Sequence, residues 1–407
     1  MNAKSWFNLH SWAGLFVGVL LFVTCVSGTL ATLSHELEYL TDAKYRALSS
    51  SASTNYQAIE NTLNKHYPQA KLLYIQRHKQ DYLATEAALK VGDSFRFVYL
   101  DAATGSLLGE GEWARISRFL RNWHMNLSMG WTGKLIVTSL SILLVILLVS
   151  SFYVYRHWWQ GFMKRPAMLC LGKRSSWSDW HKLLGLWSLW FIAVMAITGV
   201  WYLVEHGLQT AKVPHTVSAP QALSDFKKQI PRKGVLPISL TTAYKAAQHA
   251  FPSLDIRYIR YPNKVNQPIE VRGYNDDILL RLRANRVFLK PSSGEVLGLQ
   301  KGEELKLLPR IKDTADPLHF GNFAGIGTKL IWGLFGALMS LVSAAGIYMS
   351  WLRVKRKTTV VRWLGLSGGI VIGLVVASLL TTSLSFTERS VPNVVYSPTF
   401  GYYTNPQ

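Results

Sequence analysis

Two long apolar segments carry histidines at matched positions. His10 and His35 bracket the first, His181 and His206 bracket the third, and each pair is 25 residues apart. At about 1.5 Å and 100° per residue, 25 steps climb roughly 37 Å and close almost seven turns, so on a continuous helix both imidazoles of a pair share one face. A bilayer's hydrocarbon core is about 30 Å thick. Each helix would then hold one histidine near each rim, a ladder for metal centres stacked across a membrane. Glycines recur with the histidines: Gly14 and Gly28, like Gly185 and Gly199, lie four and eighteen residues after the leading histidine, within about 40° of it around the helix. A missing side chain there lets a flat macrocycle approach the backbone. Interfacial anchoring and close helix packing use the same residue types. The repetition of His-x3-Gly-x13-Gly-x6-His on two helices favours ligands.

A composition of 49% hydrophobic and 16% charged residues describes a membrane protein with substantial water-facing parts. Transmembrane helices are expected over 1–36, 133–157, 181–206, 327–353 and, most weakly, 362–384. The first is too long for a secretion signal and lacks a small-residue cleavage site. Arg156, Lys164, Arg165, Lys173 and Arg174 lie in or beside the short loop 158–180, and Arg353, Lys355, Arg356, Lys357 and Arg362 lie between the fourth and fifth helices. Positive charge places both loops in the cytoplasm. The long segments 37–132 and 207–326 and the tail 385–407 then face outward. The only cysteines, Cys25 in a span and Cys170 in a cytoplasmic loop, leave the external segments no disulfide. Net charge is +21, yet nucleic acid is a poor inference. Arg257, Arg260, Arg272, Arg281, Arg283 and Arg286 are scattered through strand-like text, which suits an anionic ligand, lipid head groups or a solvated basic face.

The chain is also an internal duplication. Beyond the first and third helices, His124 to Gly130, Lys134 and Leu135 align without gaps to His319 to Gly325, Lys329 and Leu330. Both external segments run from a polar helix ending at Tyr67-Pro68 or Phe251-Pro252, through strands, to a turn at Asp101–Gly105 or Pro291–Gly294. Each reads as a small α+β module. Both halves enter the membrane with one polarity, so a pseudo-two-fold axis along the membrane normal is expected.

These features resemble the PepSY-associated transmembrane proteins, and within them the iron-uptake-linked reductases of ferric siderophores. The resemblance covers nearly the whole chain. It is carried by His10-Ser-Trp-Ala-Gly14, by Ser27-Gly28 ahead of His35-Glu36-Leu37, by Trp123-His124 and Leu318-His319 with their following Gly and Lys, and by the two external modules. It implies a membrane α-helical bundle of four core helices in two tandem repeats, here with a fifth C-terminal helix, and two small periplasmic α+β PepSY-like domains. It further implies two b-type haems, a periplasmic ferric siderophore or other ferric chelate as substrate, and an inner-membrane location. No flavodoxin-like or nicotinamide domain follows, so the donor is expected to be a quinol or a cytoplasmic flavoprotein.

A six-coordinate haem needs two imidazoles at equal depth. His35, His124, His206 and His319 qualify on the outer side, and His10, His181 and His157 on the inner side. Symmetry mates on the axis give His10 with His181 inside, and either His35 with His206 or His124 with His319 outside; as His124 and His319 precede their apolar runs by about ten residues, the alternative places them on an interfacial helix touching propionates or substrate. His157, beside Trp158 and Trp159, reads better as an interfacial anchor. Arg115, Arg118 and Arg121 precede His124 on an amphipathic helix. Arg115 and Arg121 are expected to meet haem propionates, although snorkelling to lipid serves all three equally. Trp187, Trp190 and Trp201 offer aromatic stepping positions between the haems. Gly365, Gly369 and Gly373 would give the fifth helix a packing face. His66, His78, His215 and His249 show no ligand spacing. No phosphate loop, dinucleotide fingerprint, Cys-x-x-Cys or His-Glu-x-x-His occurs. The alternative reading is a haem-free membrane sensor or peptidase-regulating protein; a proton-coupled transporter is disfavoured by the lack of acids within the spans.

Overall fold

The computed structural model describes residues 2–49, 53–92, 94–214, 237–263, 267–354, 369, 371–381, 394–397 and 400–404. Its long helices are α1 (Ala3–Thr32), α5 (Gly130–Val154), α7 (Leu189–Thr210) and α10 (Gly325–Val354). Among the described residues three helices are long and apolar enough to cross a membrane. α1 makes a fourth if its arms, bent by 61° between Ala3–Leu15 and Val17–Thr32, count as one span. α1 packs along α10 and α5 along α7, so the first helix of each repeat rests on the last helix of the other.

Neither histidine pair sits on one continuous helix, contrary to the simple spacing argument. His35 lies on α2 (Ser34–Thr41), beyond a non-helical Leu33, where the Ser34 hydroxyl bonds back to Ala31 O and competes with the helical pattern. His181 lies on α6 (Arg174–Trp187), separated from α7 by Ser188. With the bend in α1, the rims of a pair no longer stack on one face.

The two α+β modules also differ from expectation, because together they form one sheet. Strands β1 (Lys71–Gln76), β2 (Thr85–Val91), β3 (Ser94–Leu100) and β4 (Leu107–Gly111) come from the first repeat. β5 (Asp255–Arg260), β6 (Ile269–Tyr274), β7 (Asn285–Leu289) and β8 (Val296–Gln300) come from the second. Their order is β4-β3-β2-β1-β5-β6-β7-β8, antiparallel throughout. At the seam Tyr74 faces Arg260, Ile75 faces Ile259 and Gln76 faces Tyr258. Aligning Pro68 with Pro252 makes Ile75 and Ile259 equivalent, so the two-fold axis passes through that pair. Two isolated modules would each leave a hydrogen-bonding edge bare, and joining β1 to β5 removes both edges.

One face of the sheet is covered by α3 (Tyr56–His66) and α8 (Leu240–Ala250), whose Ile59, Leu63, Ala243 and Ala247 pack on Ile75, Val98, Ile259 and Val287. Tyr56 stacks on Tyr244 at 4.6 Å. The turn after β3 needs Gly105, at φ +70°, because a Cβ there would fall 2.5 Å from the Ala58 carbonyl carbon. The opposite face carries Leu73, Tyr74, Phe97, Tyr99 and Tyr258. From it α4 (Ile116–Asn126) and α9 (Leu307–Phe320) lead into α5 and α10, each ending on a left-handed residue, Leu127 or Gly321.

The cations of the second module are tied into ion pairs and do not make an open basic face. Arg260, Arg272 and Arg286 converge on Glu270; Arg281 and Arg283 meet Asp313 and Asp316; Arg257 bridges Asp81 and Asp255. Of the fifth segment, Val371–Thr381 is helical. Val371 joins Leu20, Leu127 and Leu140, and Ser378 Oγ accepts from Trp123 Nε1 at 2.5 Å. Among the described residues a Cβ on Gly369 or Gly373 would meet no atom within 4 Å. Gly365, Lys355 to Arg362, His215 and most of the tail lie outside the described residues; β9 (Val394–Ser397) and β10 (Phe400–Thr404) pair as a hairpin.

Candidate functional site

His10 and His181 face each other with ring centroids 6.3 Å apart and ring planes at 83°. His10 Nδ1 lies 2.9 Å from Ser150 Oγ, and that hydroxyl donates to Leu147 O, so it accepts from the imidazole. His181 Nδ1 lies 2.9 Å from Val342 O, an atom that only accepts. Both rings therefore carry their proton on Nδ1 and present a lone pair at Nε2.

The same arrangement recurs nearer the sheet. His124 on α4 and His319 on α9 have centroids 6.1 Å apart. His124 Nδ1 donates to Thr24 O at 3.0 Å, with Ser27 Oγ at 3.4 Å. His319 Nδ1 is 2.8 Å from Thr198 Oγ1, which itself donates to Val194 O. Ser27 and Thr198 each immediately precede the second glycine of the repeated motif, Gly28 and Gly199, and are equivalent. Ligating histidines characteristically donate the other ring N–H to a fixed acceptor, which sets tautomer and orientation. Two imidazoles on opposite faces of one iron stand about 6.3 Å apart between centroids, given metal–nitrogen distances of about 2.0–2.1 Å. Both pairs fit a bis-imidazole haem in tautomer and separation.

Around His124 and His319 lies a cavity of about 310 Å³ between bundle and sheet. Its bundle wall is apolar (Leu21, Leu144, Phe191, Met195, Trp332 and Met339), and its rim carries Lys79, Arg121, Lys134, Arg281 and Lys329. Three ties join bundle and sheet across this rim. Lys329 pairs with Glu36, which also accepts from Tyr82 Oη; Arg281 pairs with Asp316, which accepts from Tyr202 Oη; Lys79 Nζ donates to Phe323 O at 2.5 Å.

Other expected site residues land elsewhere. His35 and His206 do not meet. His35 packs on His78 at 4.7 Å and bonds Glu38, whereas His206 stacks on Trp131 at 3.9 Å. Being off the two-fold axis, these equivalents have no means of contact. Gly28 and Gly199 line the cavity, but the space beside Gly28 admits the His124 ring itself: a Cβ would lie 2.6 Å from His124 Cε1. A Cβ on Gly199 would meet Ser141, on Gly14 only Leu147 at 4.0 Å, and on Gly185 nothing. Arg121 reaches the cavity. Arg115 does not: it is buried against Glu86 and Tyr99 on the sheet, while Arg118 lies 3.6 Å over Trp113. Trp190 sits in an aromatic cluster with Phe191, Trp332 and Phe335.

His78 was missed, because only the folded sheet brings the end of β1 over α2. With His35 it forms the partition between the main cavity and a second, water-sized space lined by Glu38, Glu86, Tyr99 and Arg115. Burial, reinforced by His35, pushes the His78 imidazole down to about 3 and keeps it neutral. Burial opposes ionisation of Glu86, but the Arg115 guanidinium and Tyr74 hydroxyl outweigh it and hold the carboxylate at about 2.

The description "PepSY-associated TM region" matches residues 7–353. The chain belongs to this family. That match spans both repeats, the whole sheet and all four paired histidines. A comparison with curated proteins returns no match.

Proposed function

We propose that this family member is an inner-membrane dihaem b-type oxidoreductase that reduces a periplasmic ferric siderophore, Fe(III) to Fe(II), with electrons from a quinol or a cytoplasmic flavoprotein. The observation carrying the proposal is the doubled histidine geometry: two cross-repeat pairs at 6.3 and 6.1 Å with every Nδ1 engaged. His10 and His181 would hold one haem and His124 and His319 the other. When bound, each haem supplies a one-electron Fe(III)/Fe(II) couple.

The chain's own contribution is position. Ser150, Val342 O, Thr24 O and Thr198 fix the four rings so that Nε2 is the free nitrogen. His124 and His319 reach α1 and α7 at Thr24 to Gly28 and at Thr198, so the outer pair lies about 21–27 Å along the helices from His10 and His181. That is shorter than rim histidines demand, and Phe191, Trp332 and Phe335 lie in the bundle core between them, with Trp190 packed on their exposed side. Arg121 and Lys134 on the cavity rim suit propionates or an anionic chelate. The cavity's contact with the sheet gives a chelate an outward approach, and reduction weakens binding by hard oxygen chelators. Four core helices plus a fifth C-terminal helix, with outward modules and cytoplasmic cationic loops, complete the proposed topology.

The test is a reduced-minus-oxidised spectrum with pyridine haemochrome quantification, followed by stopped-flow reoxidation with ferric hydroxamate and catecholate chelates. About two b haems per chain, reoxidised by a chelate, are expected. A colourless protein that takes up no added haem refutes the proposal.

A further inference from the structure

At the end of the bundle away from the sheet, residues 155–173 connect α5 to α6. Three tryptophans of α6 tie this segment down through their indole N–H groups: Trp177 to Cys170 O, Trp180 to Ala167 O and Trp187 to Phe162 O, each at 3.1 Å. Ser176 Oγ accepts from Cys170 N at 3.2 Å, and Gly172 N donates to Tyr348 Oη at 3.2 Å. The segment thus runs antiparallel along α6 with its backbone anchored from within the protein.

Its side chains point the other way. Met163 is 91% exposed, Leu171 86%, Met168 82% and Trp159 57%. Between them stand Arg156, Lys164, Arg165, Lys173 and Arg174, all exposed. No carboxylate occurs from residue 155 until Asp179, and Asp179 is turned to Lys182. Large apolar tips bare to water are unfavourable, and cations without counterions repel one another. Both penalties disappear where apolar tips enter the acyl boundary and cations meet phosphodiesters. The backbone tethering fits as well, since near hydrocarbon every N–H and C=O requires a partner.

We propose that residues 156–174 form a binding surface for the anionic phospholipid head groups of the adjoining leaflet, with Met163, Met168 and Leu171 inserted between the lipids and Lys164, Arg165, Lys173 and Arg174 on their phosphates. The charge pattern decides the occupant: five cations with no acid complement a uniformly anionic layer. This inference is independent of the haem reading.

The test uses the full chain in detergent, in a Cys25→Ala background, with an environment-sensitive fluorophore on the exposed Cys170. The protein is titrated with mixed micelles carrying phosphatidylglycerol or phosphatidylcholine. A saturable blue shift with phosphatidylglycerol only is expected. In Lys164→Gln/Arg165→Gln/Lys173→Gln its midpoint should rise about fivefold per cation removed. Size-exclusion profile and thermal unfolding establish that the variant is folded. Equal responses to both lipids, an unaltered midpoint in the triple variant, or a response only to an added protein would each overturn the proposal.

Discussion

Gly28→Ala separates two explanations of the repeated glycines. If they exist to admit a macrocycle, alanine at Gly28 and at Gly185 should be equally harmful. In the structure the sites differ: a Cβ on Gly28 would stand 2.6 Å from Cε1 and 2.9 Å from Nδ1 of His124, whereas one on Gly185 would meet nothing within 4 Å. Carbon contacts settle near 3.5–4.0 Å, so the His124 ring must retreat by about 1 Å. That retreat stretches its 3.0 Å bond to Thr24 O beyond hydrogen-bonding range. Overpacking of this kind costs about 1–3 kcal/mol, and the lost bond about 1 kcal/mol more. Gly28→Ala should therefore lower the unfolding temperature and reduce haem from about two to about one per chain, by loss of the outer site. Gly185→Ala, whose Cβ would meet no protein atom within 4 Å, should gain about 0.5–1 kcal/mol from helix propensity in the haem-free protein, and its haem content reports whether a macrocycle lies against that glycine. Pyridine haemochrome content and thermal unfolding of both variants decide the matter. Full haem content in Gly28→Ala, or loss in Gly185→Ala, would refute the steric argument.

Three further outcomes are expected. His10→Ala and His319→Ala should each retain one haem and the double variant none; a spectrum unchanged by either substitution would exclude that pair as ligands. Glu86 is depressed from 4.5 to about 2, so its stabilisation of the sheet, on the order of 3 kcal/mol, is complete above pH 4.5 and is lost as pH falls through 2. Neutral His78 acts over a higher window, contributing fully above pH 6.5 and less as pH falls toward 3. Hydrogen exchange of β1 to β3 across pH 2–7 should show both losses, and Glu86→Gln should remove the lower one. Lys329→Met, which removes the cation from Glu36 and leaves it the Tyr82 hydroxyl, should cost about 1–3 kcal/mol in thermal unfolding. Adding Glu36→Gln should recover most of that cost, and additive losses would argue against the pair.

The sequence disclosed the duplication, the long apolar helices of the two repeats and the equivalence of the paired histidines, because these depend on local spacing. It did not disclose the seam. Whether β1 and β5 pair depends on bringing together residues 184 apart, and no local pattern in Lys71–Gln76 announces a partner. The breaks at Leu33 and Ser188 were hidden for a related reason: one residue leaving helical geometry alters no hydropathy window. Yet the symmetry contains a rule for which equivalent histidines can meet. Under a two-fold axis, equivalent residues touch only where they lie on it. Ile75 meets Ile259, Tyr74 packs on Tyr258 at 5.3 Å, and His124 faces His319. Off the axis, equivalents are free to diverge: His35 acquires His78 while His206 acquires Trp131, and Arg121 is matched by Asp316 across the same cavity. A shared ligand requires two donors meeting on the axis, and an asymmetric substrate requires walls that differ. Under the proposed function the duplicated chain would supply the first through His10–His181 and His124–His319 and the second through unmatched cavity residues such as Arg121 and Asp316.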